Sequence, residues 1–303
     1  MRILCIDGGG IRGALPISFL AQLEEEKKEP ASHYFDMIAG TSTGAIIAAS
    51  IAVGIPMKTL LENYIVFGKK IFTAQAYWGI FRSVYNDRFL RRLLKKSFGN
   101  MLLKDVQMPL LLPAVDLTHG NPIVIKSCKV DEIEQYHELE LWDAVLSSCA
   151  APLYFPPNHL EGKYMTADGG LWANNPSLVG LTEAIHSFSE KVENINILSL
   201  GTGRQCIDFS NDKDGSWGIR SWLPMPLPVM KPVPKLLDLA LDLSSEAVSH
   251  QCQLMLGERY LRINHDLGRE VPFDEPVFLK NMVEHGYDAF HNNKEQVLPF
   301  LQT

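Results

Sequence analysis

Short apolar runs alternate with longer amphipathic stretches along most of the chain. The short runs predict strands at 2–6, 35–39, 110–115, 123–126, 195–200 and 260–263. Stretches with helical apolar spacing predict helices at 14–28, 45–52, 57–70, 87–96, 138–151, 235–256 and 277–301, the last one broken near Gly286. Strands that alternate with helices indicate an α/β fold with a mostly parallel central sheet, covered by helices on both faces. No internal linker is evident, so we expect a single domain over residues 1–303.

Two neighbouring stretches have patterns of their own. In the helix at 235–256, one buried stripe is predicted at Leu236, Ala240, Leu243, Ala247 and Leu254. The segment 222–234 contains too many prolines for a helix or a sheet, so it should be an extended arm. That arm is either a spacer or an element that enters a lipid surface through Trp217, Trp222, Met225, Leu227 and Met230.

The motif Gly40-Thr41-Ser42-Thr43-Gly44 joins the strand at 35–39 to the helix at 45–52. A G-x-S-x-G turn between a strand and a helix is typical of a nucleophile elbow. Its glycines let the strand and the helix approach closely, and Ser42 then lies at a helix N-terminus, where developing negative charge is favoured. Ser42 is therefore the candidate nucleophile.

A second glycine-rich loop, Gly8-Gly9-Gly10-Ile11-Arg12-Gly13, also lies between a predicted strand and a predicted helix. It matches the dinucleotide-binding pattern G-x-G-x-x-G, which expects an acidic residue at the end of the second strand. Asp36 has a suitable spacing, but it precedes the apolar core of its strand and so lies at the wrong end of the sheet. Since both glycine loops leave carboxyl ends of parallel strands, they can lie side by side, one with the nucleophile and the other with oxyanion-binding N–H groups.

The sequence does not place a histidine where the serine would need one. None of the downstream histidines follows a strand in a tight glycine-framed turn. Asp168-Gly169-Gly170 does follow a strand-like stretch, 163–167, and its glycines allow close backbone approach. An ordinary Asp-Gly turn is the alternative interpretation.

Composition and charge indicate which partners and which cellular compartment to expect. Lys+Arg 28 against Asp+Glu 35 gives a net charge of −7, which disfavours nucleic acid as a partner. The five cysteines are scattered in apolar contexts, so we expect buried free thiols in a reducing compartment and no zinc site. Because the sequence opens on a strand and contains no membrane-spanning run, we expect no secretory leader and a cytoplasmic protein.

With these three motifs in place, the chain resembles the patatin-like phospholipases, a family of lipid acyl hydrolases. The segments at 148–157, 173–176, 198–203 and 260–263 are also similar to family segments, in the family's order. The resemblance implies a three-layer patatin-like fold and a Ser42–Asp168 dyad without a catalytic histidine. It further implies an oxyanion hole in the Gly8–Gly13 loop, with Arg12 bracing that loop or meeting the substrate phosphate. Gly169 and Gly170 would support the dyad.

The implied substrate is a phospholipid or another acyl lipid, reached by transient contact with a membrane surface, with no cofactor and no metal. Some bacterial members of the family act in antiviral signalling and are switched on by cyclic nucleotides. The sequence leaves a small-molecule activator, the headgroup and the oligomeric state open. Two other functions stay open: a nucleotide-dependent oxidoreductase that uses the Gly8–Gly13 loop, and a non-catalytic storage or binding protein.

Overall fold

The structure is a computed structural model that describes residues 1–72, 83–127, 138–160, 162–206 and 235–302. Its strands are β1 (Arg2–Ile6), β2 (Met37–Gly40), β3 (Leu110–Asp116), β4 (Asn121–Lys126), β5 (Asn158–Leu160), β6 (Tyr164–Asp168), β7 (Asn196–Leu200) and β8 (Tyr260–Ile263). Its helices are α1 (Ala14–Lys27), α2 (Thr43–Ala52), α3 (Met57–Ile71), α4 (Arg88–Phe98), α5 (Leu141–Ser148), α6 (Gly170–Ala173), α7 (Ser177–Ser187), α8 (Lys235–Leu256) and α9 (Leu279–Phe300).

All eight of these strands belong to one sheet, in the order β5-β6-β3-β2-β1-β7-β8, with β4 paired to β3. The centre of the sheet, β3-β2-β1-β7-β8, is parallel. The strands β4, β5 and β6 pair antiparallel at one side. The predicted α/β class with a mostly parallel sheet is confirmed. The expectation of a single domain stays a prediction.

Both faces of the sheet are buried, as period-2 alternation along β1 illustrates. Leu4 and Ile6 pack into a large apolar cluster with residues of α1, α2, α5 and α9. Ile3 and Cys5 point to the opposite face, into a second cluster with residues of α7 and α8. The chain therefore has three layers, with the sheet between two groups of helices.

The predicted stripe on α8 is the wrong face of that helix. Leu236, Leu243 and Leu254 are 47%, 60% and 74% exposed, and Ala240 and Ala247 are exposed as well. The buried face instead carries Asp238, Ser245, Cys252 and Leu256. Polar residues lie inside because this part of α8 packs on the buried Arg12, which is 3.5 Å from Asp242, and on Asn174 and Asn175, whose side chains donate to the hydroxyl and the carbonyl of Ser245.

The predicted break in the last helix is also wrong, since α9 runs without interruption through Gly286. A Cβ at position 286 would lie 2.3 Å from the carbonyl oxygen of Leu15. The glycine thus lets α9 approach α1 closely, and it leaves the helix intact. The elements β5, α6 and α7 were not predicted from the sequence, and α5 is shorter than the predicted helix at 138–151.

Other expectations fall on different parts of the chain. The proline-rich arm at 222–234, Trp217 and Cys128 lie outside the described residues. Cys5, Cys149 and Cys252 are buried free thiols, whereas Cys206 is exposed, contrary to expectation. Over the described ranges, no helix combines the length and the apolar character needed to cross a membrane.

Candidate active site

Ser42 occupies the turn between β2 and α2, with φ 55° and ψ −121°. This positive φ is strained for a residue with a side chain, at about 1–3 kcal/mol. The flanking glycines allow the tight turn: a Cβ at Gly40 would lie 2.1 Å from the Gly44 carbonyl oxygen, and one at Gly44 would lie 2.2 Å from the Ile6 carbonyl oxygen. The strand, turn and helix thus have the geometry of an elbow, with Ser42 at the N-terminus of α2.

Hydrogen bonds from buried neighbours hold the strained turn. The Thr41 hydroxyl donates to the carbonyl of Ala173 at 2.6 Å. The Ser42 N–H donates to Ser148 Oγ at 3.1 Å, and the Ser148 hydroxyl donates to the carbonyl of Pro113 at 2.6 Å. The Cys149 thiol donates to the Ser42 carbonyl at 3.0 Å. These bonds tie the turn to α6 and β3, so the surrounding structure determines the conformation of Ser42.

Sheet register explains why Asp168 lies beside Ser42. Within β3, Leu111 pairs with both β2 and β4, while Ala114 pairs with both β4 and β6. Since a residue has only two pairing edges, β2 and β6 must share one edge of β3. They run along that edge toward each other, because β2 is parallel to β3 and β6 is antiparallel. The residues that follow β2 and those that end β6 therefore meet near Pro113.

Asp168 ends β6 and is 5% exposed. Burial raises the pKa of its carboxyl to about 6, against the opposing hydrogen bonds from the Ser42 side chain and the Gly170 N–H. The Gly170 N–H donates to Asp168 Oδ1 at 2.7 Å. Gly169 permits the approach to β3, since a Cβ there would lie 2.2 Å from the Pro113 carbonyl oxygen. A buried carboxylate with a raised pKa is a better proton acceptor than an exposed one.

The Gly8–Gly13 loop divides its N–H groups between two uses. The N–H of Gly8 donates to the Asn174 carbonyl at 3.0 Å, that of Ile11 to Phe273 at 2.7 Å, and that of Arg12 to Gly9 at 3.0 Å. The N–H groups of Gly9 and Gly10 have no acceptor among the described residues, and both glycines line the cavity that contains Ser42. Gly10 has φ 53° and would place a Cβ 2.3 Å from the Phe273 carbonyl oxygen, so only glycine fits there.

Arg12 lies behind this loop. It is 1% exposed, its Nη2 is 3.5 Å from Asp242 Oδ1, and its guanidinium is 4.3 Å from the centre of the Phe273 ring. Asp238 is also close to it, and burial raises the pKa of Asp238 to about 7 although Arg12 acts in the opposite direction. Arg12 is not among the residues that line the cavity. Of the two roles implied by the family resemblance, its surroundings fit bracing of the loop.

The cavity around Ser42 and Asp168 is mostly apolar. Six of its lining residues form apolar walls: Phe72, Pro152, Phe155, Leu171, Leu237 and Leu241. No histidine lines it in the part of the chain that the structure describes. An apolar cleft with a few convergent polar groups is the usual form of a site for an apolar small molecule.

The geometry does not favour the dinucleotide alternative. A carboxylate that binds a ribose must lie at the carboxyl end of β2. Asp36 lies at the other end, where its Oδ2 accepts the Arg2 N–H at 2.6 Å, and the carboxyl end carries Ser42 instead. Among the described residues, no three His, Cys, Asp or Glu side chains are grouped so that they could hold a metal ion.

Several residues that shape the site were not assigned a role from the sequence. Asn174 holds Gly8, and Ser148 and Cys149 hold Ser42, although all three lie in segments that carry the family resemblance. Tyr64, on α3, donates to the Gly10 carbonyl at 2.5 Å and is 2.6 Å from the Thr43 hydroxyl. No signal in the sequence points to Tyr64, because it lies far along the chain from both partners.

The arrangement of a serine turn, a buried carboxyl and a glycine loop at the carboxyl ends of parallel strands is that of an α/β serine hydrolase. Residues 4–179 match the family of Patatin-like phospholipases. This match covers more than half of the chain, and the chain belongs to that family.

Three relatives show how similar the chain is to other proteins in sequence. A cGAMP-activated phospholipase of Escherichia coli (strain TW11681) is 33% identical over 222 residues, which cover 67% of this chain and 62% of that protein. A cGAMP-activated phospholipase of Vibrio cholerae serotype O1 is 35% identical over 230 residues, which cover 67% of this chain and 64% of that protein. The 85/88 kDa calcium-independent phospholipase A2 of Mus musculus is 29% identical over 312 residues, 90% of this chain and 36% of that protein. The chain thus spans less than two thirds of each relative's length.

Proposed function

We propose that this protein is a lipid acyl hydrolase of the phospholipase A type, with Ser42 as the nucleophile and Asp168 as its proton acceptor. The observation that carries the proposal is that Ser42 and the buried Asp168 line the same cavity, where burial raises the pKa of the Asp168 carboxyl to about 6 against the opposing effect of the Ser42 side chain. Membership of the patatin-like phospholipases and the apolar cavity support a lipid ester as the substrate.

In the first half-reaction, Ser42 Oγ attacks the ester carbonyl carbon while its proton passes to Asp168. The carbonyl oxygen becomes an oxyanion, which accepts hydrogen bonds from the N–H groups of Gly9 and Gly10. When the tetrahedral intermediate collapses, the C–O bond to the glycerol oxygen breaks, and Asp168 returns the proton to that oxygen. The products are a lysophospholipid and an acyl group on Ser42.

In the second half-reaction, a water molecule takes the place of the glycerol oxygen. Asp168 accepts a proton from this water as its oxygen attacks the acyl carbonyl, and the same N–H groups bind the new oxyanion. Breaking the bond to Ser42 Oγ returns the proton to that oxygen and releases a fatty acid. Both halves use one acid–base group, so a histidine is not needed.

The oxyanion contacts are expected to contribute most of the transition-state stabilisation, since a carboxylate is a weak base for a serine hydroxyl. A pKa of about 6 for Asp168 reduces the difference between its pKa and that of the serine hydroxyl but does not remove it. Each oxyanion donor in a serine hydrolase is worth roughly 2.7–4 kcal/mol of transition-state stabilisation. We assign these contacts to Gly9 and Gly10, and we assign the shape of the loop to Gly8, Ile11, Arg12 and Gly13.

The substrate reaches this site from a membrane surface. Leu171 lines the cavity and is nevertheless about half exposed, so it forms an apolar rim that an acyl chain passes on entry. Leu153, next to the cavity residue Pro152, is exposed to a similar degree. We propose a cytoplasmic protein that touches membranes transiently through this rim.

A small-molecule activator is part of the proposal because two relatives bear the name cGAMP-activated phospholipase. A protein that requires cGAMP for activity is inactive when cGAMP is absent. Every activity assay of this protein should therefore be run with and without cGAMP.

The function is tested by incubating the protein with phospholipid vesicles and identifying the products by mass spectrometry. We expect a free fatty acid and a lysophospholipid from the wild type, and neither product from Ser42→Ala. Ser50→Ala is a matched control, since Ser50 is a buried serine on α2, the helix that follows Ser42, and its hydroxyl donates to the Ile46 carbonyl. Release of the headgroup, or turnover by Ser42→Ala, would contradict the proposal.

A further inference from the structure

Thr202 lies behind the oxyanion loop, in a motif that the proposed mechanism does not use. It belongs to Gly201-Thr202-Gly203, the segment that follows β7. β1 and β7 are parallel, and Ile6 at the end of β1 lies opposite Leu200 at the end of β7. Gly8 and Thr202 each lie two residues past the end of their strand. The Asp7 N–H extends this pairing by donating to the Leu200 carbonyl at 3.0 Å. The two loops are therefore side by side at the same edge of the sheet.

The Thr202 hydroxyl donates to the Gly8 carbonyl at 2.8 Å, and Thr202 is buried. The carbonyl of Gly8 and the N–H of Gly9 belong to one planar trans peptide, so they point in opposite directions. A bond that draws the carbonyl toward Thr202 therefore turns the Gly9 N–H away from Thr202.

The side away from Thr202 is the side of the candidate active site. Gly9 and Ser42 line the apolar cavity, whereas Thr202 and Asp7 line a small polar cavity instead, and Asn174 lines both. A Gly9 N–H that is turned away from Thr202 can therefore face the cavity that contains Ser42.

A glycine-rich loop needs such a contact. Gly8 and Gly9 have no side chain to restrict the rotation of the peptide between them, so backbone sterics alone do not fix its direction. Two contacts hold the backbone of Gly8: its N–H donates to the backbone carbonyl of Asn174, and its carbonyl accepts a hydrogen bond from the Thr202 hydroxyl. Gly9 also packs directly on Thr202, since a Cβ at Gly9 would lie 2.3 Å from Thr202 Oγ1.

From this geometry we infer that Thr202 is a positioning residue for catalysis, whose hydroxyl aims the Gly9 N–H at the oxyanion of the reacting ester. The inference rests on the proposed hydrolase function. Thr202 touches neither the substrate nor Ser42, so its removal should impair the transition state and leave substrate binding in the apolar cavity intact.

The test is the steady-state hydrolysis of phospholipid in mixed micelles by the wild type, Thr202→Val and Thr202→Ser. Complete loss of an oxyanion donor lowers kcat by about 10²–10³, so a misdirected donor should lower it by about 10- to 100-fold. We expect this loss in Thr202→Val with KM unchanged, and recovery of most of kcat in Thr202→Ser, which keeps the hydroxyl. Ser18→Ala is the control, because it removes a buried hydroxyl that donates to the Val283 carbonyl at 2.8 Å, at the interface of α1 and α9. It should keep the wild-type kcat.

Urea unfolding of every variant separates a catalytic defect from a folding defect, and Thr202→Ala replaces Thr202→Val if the valine variant does not fold. A wild-type kcat in the folded valine or alanine variant would overturn the inference. So would a serine variant as slow as the valine variant, or a loss that appears only in KM. A wild type that releases no fatty acid, with or without cGAMP, would overturn the proposed function and this inference together. An active wild type with an equally active Thr202→Val would overturn the inference alone.

Discussion

Replacing Asp168 by asparagine should stabilise the folded protein while it abolishes turnover. The side chain is buried, and burial raises its pKa from 3.8 to about 6. Each pKa unit corresponds to about 1.4 kcal/mol, so the ionised carboxyl destabilises the folded state by roughly 3 kcal/mol near pH 8. Asparagine is close in shape and carries no charge, so it removes this penalty.

The sign of the effect follows from the direction of the pKa change. At pH values well below 3.8, the usual pKa of an aspartate, the carboxyl is protonated in both the folded and the unfolded states, and the wild type has no penalty. As the pH rises through the folded-state pKa of about 6, the penalty develops in full. The stabilisation by Asp168→Asn should therefore be roughly 3 kcal/mol at pH 8 and about half of that at pH 5.

The assay is urea unfolding of the wild type and Asp168→Asn at pH 8 and pH 5. Asp116→Asn is a control of opposite sign. Burial acts to raise the pKa of Asp116, but hydrogen bonds from the His119 side chain and from the Thr118 and His119 N–H groups outweigh it, and the pKa is lowered. Its replacement should therefore destabilise the protein at pH 8. An Asp168→Asn protein that is no more stable than the wild type at pH 8, or that is stabilised equally at both pH values, would contradict this prediction.

Three further predictions concern activity. Because Asp168 must be ionised to accept a proton, kcat/KM should fall as the pH drops through about 6, and a profile that stays flat down to pH 5 would contradict this assignment. Tyr64→Phe removes the donor to the Gly10 carbonyl and should lower kcat about 10-fold in a hydrolysis assay, with no change in KM; an unchanged kcat would show that this bond does not position the loop. Leu171→Ser should weaken binding to phospholipid vesicles in a sedimentation assay, whereas Leu254→Ser, at the far end of α8, should not; equal effects would argue against a specific rim.

The sequence predicted the parallel centre of the fold well because its signals are local. The strands β1, β7 and β8 and the helix α8 lie within one or two residues of their predicted bounds. Both glycine motifs follow strands, as the periodicity indicated. The partnership between Ser42 and Asp168 came from a family resemblance, since it depends on how β2 and β6 share one edge of β3.

The failures share a physical cause. On α8, the spacing of the apolar residues predicts which face is buried. The inner face instead carries Asp238 and Asp242, which lie against Arg12. A buried arginine reverses the usual preference for apolar residues, and its position cannot be known before the loop is placed. Gly286 was interpreted as a helix breaker because a contact with α1 leaves no local signal.

The roles of Tyr64, Asn174 and Thr202 escaped prediction for a similar reason. Each holds a backbone group of the Gly8–Gly13 loop, and each comes from a different element. A hydrogen bond to a carbonyl places no constraint on the sequence around that carbonyl. Only the packing of α3, α6 and β7 around β1 brings these residues to the loop.

If Ser42 and Asp168 form the catalytic pair, covalent labelling with a fluorophosphonate must occur at Ser42 and depend on Asp168. The protein is labelled with and without cGAMP, digested, and mapped by mass spectrometry, and the labelling rate is measured for the wild type, Ser42→Ala and Asp168→Asn. We predict one adduct, on the peptide that contains Ser42, no adduct in Ser42→Ala, and much slower labelling in Asp168→Asn. Lipid hydrolysis by a wild type that does not label, or wild-type labelling rates in Asp168→Asn, would contradict it.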